Sequence, residues 1–184
     1  ELLEIEGEQI NKLAQQISKK RNKIIPELEK TIISILCELG MSEATFIVKQ
    51  SLLEEVDLNG IDQLQFLFSA NKGFKEKELE KAASGGELSR LMLAIKSVLA
   101  TNSNISTILF DEIDTGVSGD IADKMGVIMK EMSKDIQIIS ITHLPQVAAK
   151  GVSHIKIYKE TIGNKTATFL KVLTKSDRVE EIDK

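Results

Sequence analysis

The sequence predicts an α/β fold: a mostly parallel sheet core with flanking helices, preceded by a helical stem. Three observations carry that expectation. Helical and strand periods alternate from residue 87 to residue 150, as they do where parallel strands are joined by crossover helices. Two short apolar runs, 107–110 and 136–142, are bounded by polar residues, as buried strands are. Residues 1–40 repeat apolar side chains every seven positions instead. A hydrophobic share of 42% in 184 residues is enough for one ordinary core, which argues against wholesale disorder.

In the stem, Leu3, Ile10, Ile17 and Ile24 fall seven apart, with Leu13 as a second seam position. Glu6 and Lys20 occupy other would-be core positions, so two readings stand: an amphipathic helix packed on the domain, or the base of a coiled coil. Pro26 lacks an N–H and is expected to interrupt the helix. A second amphipathic stretch then carries Leu28, Ile32, Ile35, Leu36 and Leu39 to a stop at Gly40. Lys19, Lys20, Arg21 and Lys23 form either a phosphate contact or a solvated face.

The period then changes. Residues 45–50, with Phe46, Ile47 and Val48, and residues 64–69 read as strands. Asn71, Lys72 and Gly73 form a turn, and a charged connector follows over 75–81. Residues 87–100 form a buried helix with Leu88, Leu91, Met92, Ile95, Val98 and Leu99 on a wide apolar face. Strand 107–110 ends at Asp111 and Glu112; a helix over 120–133 leads to strand 136–142, which ends at His143. A short helix over 145–150 stops at Gly151. Strands 154–159 and 166–173 form a hairpin around Gly163 and Asn164, and the polar tail from Thr174 begins another helix.

Several function classes are excluded. A net charge of −4 is wrong for coating nucleic acid by bulk charge. The single Cys37 excludes an internal disulfide framework, and His143 and His154 add little for metal chemistry on nitrogen and sulfur. No apolar run approaches the ~18–20 residues that span a bilayer. The chain opens on Glu1 inside a charged helical pattern, with no signal peptide, which is the expectation for a piece of a longer, cytosolic protein.

Four segments carry candidate chemistry. Asp111 and Glu112 emerge at the carboxyl end of a buried strand, where open α/β sheets bind ligands. Asp111 would hold Mg²⁺ through few carboxylates and retained waters, and Glu112 would act as general base. The bland alternative is a pair of solvated acids. Ser84-Gly85-Gly86-Glu87-Leu88-Ser89-Arg90 precedes the buried helix, and glycines at a helix N-terminus suit a phosphate. An ordinary N-cap with a favourable first-turn Glu87 explains part of it. His143 can hydrogen-bond a phosphate or an attacking water, or be structural. Asp114-Thr115-Gly116-Val117-Ser118-Gly119-Asp120 is a tight loop at the same edge, or a plain strand-to-helix turn.

In this order and spacing the chain resembles the ABC-type ATPases, in the branch that holds the SMC proteins. Ser84-Gly85-Gly86-Glu87 looks like their signature motif, Ile108-Leu109-Phe110-Asp111-Glu112 like the Walker B strand, Val117-Ser118-Gly119 like the D-loop, and His143 like the switch histidine. Ala82-Ala83 before the signature, Phe110 through Gly119, Thr142-His143-Leu144-Pro145-Gln146-Val147-Ala148 and Phe66-Leu67-Phe68-Ser69-Ala70-Asn71-Lys72-Gly73 narrow the likeness to the RecN family of bacterial DNA repair proteins. The D-loop has Gly-Val-Ser-Gly where the chromosome-condensing members commonly have Ala-Leu-Asp.

That resemblance implies the C-terminal lobe of a P-loop ATPase head over residues 41–184. Residues 1–40 would be the returning coiled-coil stem and the helices that lead into the head. It implies Glu112 and His143 as catalytic, Asp111 on Mg²⁺, and Ser84, Gly85, Gly86, Glu87 and Ser118 on ATP. No Gly-x-x-x-x-Gly-Lys-Ser/Thr loop occurs in this sequence, so the Walker A motif would lie on an N-terminal lobe beyond it. The implied partners are that lobe, a second head of a homodimer, and DNA engaged by the full-length protein, with no membrane. The implied location is the bacterial cytoplasm, at the nucleoid. The isolated chain is expected to be inactive. The competing readings are a non-catalytic dimerisation or docking module and a head lobe of another SMC-like ATPase.

Overall fold

A single helix, α1 (Leu2–Glu38), runs unbroken through Pro26 in the computed structural model. The structure describes residues 2–73, 77–79, 85–102, 104–117, 119–163 and 165–183. The expected interruption at Pro26 does not occur. A proline in a helix interior costs about 3 kcal/mol through its missing hydrogen bond. Ile32 and Leu36 farther along α1 are 1% and 0% exposed, and full burial of such side chains returns about 1.5–3 kcal/mol each. Ile25 and Leu28, on either side of the proline, pack against the same core. The helix ends where Gly40 takes a φ of 77°. There the Gly40 N–H reaches the Cys37 carbonyl and the Met41 N–H the Leu36 carbonyl, closed by apolar burial of Met41 and Leu36.

The chain divides into two compact units, Glu1–Val98 and Leu99–Lys184. In the first, β1 (Thr45–Asp57) and β2 (Gly60–Ser69) form an antiparallel hairpin. Both strands run longer than the apolar clusters alone predict. Asn59-Gly60 closes the turn, with Gly60 at a φ of 109° and the Asn59 N–H bonded to the Asp57 carboxylate. Part of the expected charged connector is a short third strand, β3 (Lys77–Glu78), paired antiparallel to β2; residues 75, 76, 80 and 81 of that connector lie outside the described residues. Phe46, Val48 and Phe68 on one sheet face bury against Ile32 and Leu36 of α1 and against Leu91 and Ala94 of α2 (Gly85–Asn102).

A polar clamp holds the hairpin on α1. Asp62, 7% exposed, accepts from the Ser18 hydroxyl (2.6 Å), the Gln50 amide (2.7 Å) and the Arg21 guanidinium (3.0 Å). Burial alone would push the Asp62 carboxyl up. The three hydrogen bonds and the Arg21 charge outweigh it and hold the carboxyl below its ordinary range. This assigns Arg21 of the basic cluster to an internal ion pair. On the same helix Leu3 is 83% and Ile10 54% exposed, so packing on the domain does not account for the heptad seam.

The second unit pairs β4 (Thr107–Asp111) with β5 (Gln137–Ile141) in parallel, and α3 (Gly119–Met132) connects them. Among the described residues parallel pairing is confined to these two strands; the other ladders are antiparallel. Ala122, Met125, Met129 and Met132 bury the inner face of α3. The short α4 (Pro145–Ala148) packs on α3 at Gly126, where an added Cβ would stand 2.8 Å from Lys150 Cγ and 3.3 Å from the Gln146 carbonyl. The strands β6 (Ile155–Ile162) and β7 (Lys165–Val172) form a hairpin, and α5 (Lys175–Ile182) follows it. Thr174 caps α5 in a capping box with Asp177, and Lys156 pairs with Glu181 at 2.5 Å. Among the described residues no helix is long and apolar enough to cross a membrane.

Candidate functional site

The strand β4 alternates as a half-buried strand should: Ile108 and Phe110 are buried, and Asp111 lies exposed at its carboxyl end. Glu112 follows at a φ of +46°, the one non-glycine residue with positive φ among those described. The left-handed region costs an L-residue roughly 1–2 kcal/mol, and such strain persists only where the surroundings hold it. Here they do. The Glu112 N–H bonds the Ile141 carbonyl of β5 (3.0 Å), and the Glu112 carbonyl accepts from the Thr115 N–H (3.2 Å) and hydroxyl (2.8 Å). The exposed side chain of Glu112 is thus carried on a backbone pinned on both sides.

The loop after the acids turns inward. Ile113 and Asp114 are buried, the latter completely, and Val117 closes a turn onto the Asp114 carbonyl at 3.1 Å. Gly116 and Gly119 take φ values of 75° and 58°, which side-chain-bearing residues avoid. One Asp114 carboxylate oxygen accepts from the Thr142 hydroxyl; the other has no hydrogen-bond partner among the described residues. That hydroxyl accepts in turn from the Leu144 N–H at 3.0 Å. His143, between them, is exposed. Parallel pairing places Asp111 opposite Ile141, so the acids and His143 leave adjacent strand ends of one unit.

The glycine-rich segment belongs to the first unit. Gly85 opens α2, and Gly86 and Glu87 complete its first described residues, with the acid placed favourably against the helix dipole. Space around Gly85 is open among the described residues, so no steric contact with them demands a glycine there. That fits close approach of a ligand. Arg90 fixes this turn: its Nε donates to the Gly86 carbonyl (3.1 Å) and an Nη to the Leu39 carbonyl at the end of α1 (3.0 Å). Ser84 and Ser118, with Ala82 and Ala83, lie outside the described residues. The structure brings Asp111, Glu112 and His143 to one edge, and places Gly85, Gly86 and Glu87 at a helix start.

Asp114 and Thr142 were within the quoted motifs but carried no assigned role. Their link spans 28 residues of sequence, and no local spacing signals it. Arg90 had a signal, its i+4 distance from Gly86 on a helix. As for Mg²⁺, an exposed hard carboxylate at Asp111, with Glu112 beside it, fits an ion that takes one or two protein oxygens and keeps waters. Among the described residues no group of three or more His, Cys, Asp or Glu forms a closed cage.

No protein-family model matches the chain. It is 41% identical over 171 residues to the DNA repair protein RecN of Rickettsia bellii, covering 93% of this chain and 31% of that protein. It is 40% identical over 171 residues to RecN of Bacillus subtilis, covering 87% and 30%. It is 36% identical over 173 residues to RecN of Haemophilus influenzae, covering 94% and 31%. The chain therefore spans about a third of the length of these relatives. In fold it is similar to the Smc head domain with coiled coil and joint from Pyrococcus yayanosii, with a TM-score of 0.67 and 20% identity over 98% of this chain and 34% of that one. A second similar structure, an SMC ATPase studied for ATP-driven dimerization and DNA-stimulated activation, has a TM-score of 0.55 and 21% identity, covering 88% and 94%.

Proposed function

Because the chain belongs, over the stretch it shares with them, to the RecN family of DNA repair proteins, we propose that it is the C-terminal lobe of an SMC-like ATPase head. The observation that carries this reading is the edge where the strained Glu112 and the His143 loop leave adjacent parallel strands. A water facing that edge gives up its proton to the Glu112 carboxylate, which the pinned αL backbone holds at a fixed position. His143 hydrogen-bonds the γ-phosphate or the attacking water. Asp111 would hold Mg²⁺, and the ion would supply charge neutralisation on the phosphates.

The N–H groups that open α2, at Gly85, Gly86 and Glu87, serve with Ser84 a phosphate held by a second head; Ser118 of the D-loop is a further ATP contact, carried by the second unit. The nucleotide is held in the first place by a Walker A lobe of the same protein. Leu109, Ile139 and Ile141 are 55%, 46% and 44% exposed on one face of β4–β5, which supports a covering lobe there. The seam of Leu3, Ile10, Ile17 and Ile24 supports a coiled-coil partner for residues 1–40. In the cell the full-length protein would use ATP-driven head association in the cytoplasm, at the nucleoid, to hold or move broken DNA.

The test is Glu112→Gln in the full-length protein. Gln keeps the shape but cannot take a proton, so ATP binding persists and turnover falls at least ~10²-fold. Near-normal hydrolysis removes Glu112 from the base role. The isolated chain, which lacks the Walker A loop, is expected to bind Mg-ATP weakly and to turn it over negligibly, with calorimetry as the check; steady turnover would refute the division of labour between lobes.

A further inference from the structure

We infer that Thr142, anchored by the buried carboxylate of Asp114, is a positioning residue for His143; this rests on the ATPase reading and deepens it. His143 is exposed and makes no side-chain hydrogen bond among the described residues. Among the described residues no hydrogen bond of its own side chain fixes where its imidazole stands, so its placement depends on its backbone. That backbone is fixed from both sides by one atom. The Thr142 hydroxyl donates to Asp114 Oδ2 and accepts from the Leu144 N–H at 3.0 Å, so its rotor is set and residues 142–144 are looped around it.

Asp114 is fully buried, and among the described residues its second carboxylate oxygen has no hydrogen-bond partner. A buried carboxylate is costly unless fully hydrogen-bonded. A residue serving stability alone would be better apolar at such a site. The described use of the Asp114 side chain is the Thr142 hydroxyl. Its neighbour two residues earlier, Glu112, is bonded to Ile141, one residue before Thr142. The base and the histidine are therefore registered to each other by two bonds between the same two strand ends. A shift of about 1 Å at a positioned group can cost ~10²-fold in rate.

The experiment compares ATPase kinetics of the full-length protein carrying Thr142→Val, Thr142→Ser, His143→Ala and the Thr142→Val/His143→Ala pair. Thr142→Val keeps the shape and removes the hydroxyl. It is expected to lower kcat at least about tenfold with KM for ATP unchanged. Thr142→Ser restores most of the loss. In the His143→Ala background, Thr142→Val costs nothing further, because both act through one group. An unchanged kcat in Thr142→Val, or its full effect persisting without His143, overturns the positioning role. Normal turnover in His143→Ala and in Glu112→Gln would instead overturn the catalytic reading of the edge, and this inference with it. If Thr142→Val alone does not fold, Asp114→Asn with Thr142→Val breaks the same link without stranding a buried charge, and the same outcomes decide.

Discussion

Replacing Glu112 by a series of residues separates what its side chain does from what its backbone costs. At a φ of +46° the native residue gives up roughly 1–2 kcal/mol relative to an unstrained conformation. Glycine adopts that conformation freely but raises the entropy of the unfolded chain by about 0.5–1 kcal/mol. Glu112→Gly is therefore expected to leave the chain unchanged or more stable by up to ~1.5 kcal/mol. Glu112→Gln keeps both side-chain size and strain and should match the native protein. Glu112→Val brings a β-branched side chain to positive φ and should cost about 1–3 kcal/mol. Urea titration followed by far-UV circular dichroism reads the midpoints, and a 1 kcal/mol change in a unit of this size moves a melting temperature by about 4–8 °C. All three variants should lack turnover in the full-length protein. The order Gly, Gln, Val in falling stability is the signature of a site that holds strain for function. A Gly variant destabilised by more than about 1 kcal/mol, or Val as stable as Gln, would refute the strain.

Gly126→Leu should destabilise the second unit by about 1–3 kcal/mol by wedging α3 from α4, while Gly126→Ala, offset by about 1 kcal/mol of helix propensity, should be milder; thermal melts of both check the order. Because the Asp62 carboxyl is held below its unfolded value, its contribution is present above about pH 4 and is lost as pH falls through the folded value. Urea midpoints of the native chain should drop over that window, and Asp62→Asn should flatten the dependence. Asp177, held down to about 2 by the Thr174 backbone and side chain and by Lys171, should lose its support of α5 between about pH 4 and 2, read by exchange of the α5 amides. Ser84→Arg in the full-length protein should block ATP-dependent dimerisation in sedimentation while sparing nucleotide affinity; a lowered melting temperature with intact association would point to a helix cap instead.

What could be read ahead of the structure follows from how local each cause is. The strand ending in Asp111 and Glu112 was legible because a short apolar run and its polar terminus sit together in the sequence. The end of α1 was legible in Gly40. The strands β1 and β2 were read short and their pairing was not read at all: Gln50, Ser51, Glu54 and Glu55 dilute the apolar pattern, and the turn signal Asn59-Gly60 went unused. Lys77 and Glu78 have poor strand propensity and are strand only because β2 offers a partner. Pro26 misled because propensity is local and the burial of Ile32 and Leu36 is not. The link from Asp114 to Thr142 was out of reach altogether, since a buried carboxylate and a hydroxyl carry no periodicity that would join them.

An unbroken α1 also has a geometric consequence. Its 37 residues extend about 55 Å at 1.5 Å per residue, and nothing in the ladder resets along the way. The azimuth of Leu3 and Ile10 is thereby locked to that of Ile32 and Leu36, which sit in the core. Each residue advances the helix by about 100°, so inserting one residue before Ala14 would swing Leu3 and Ile10 through that angle, out of line with Ile17 and Ile24, while leaving every core contact in place. A helix broken at Pro26 could absorb such a change in its joint. This one converts sequence length into direction, and the angle at which the stem presents its apolar edge is set by a count of residues.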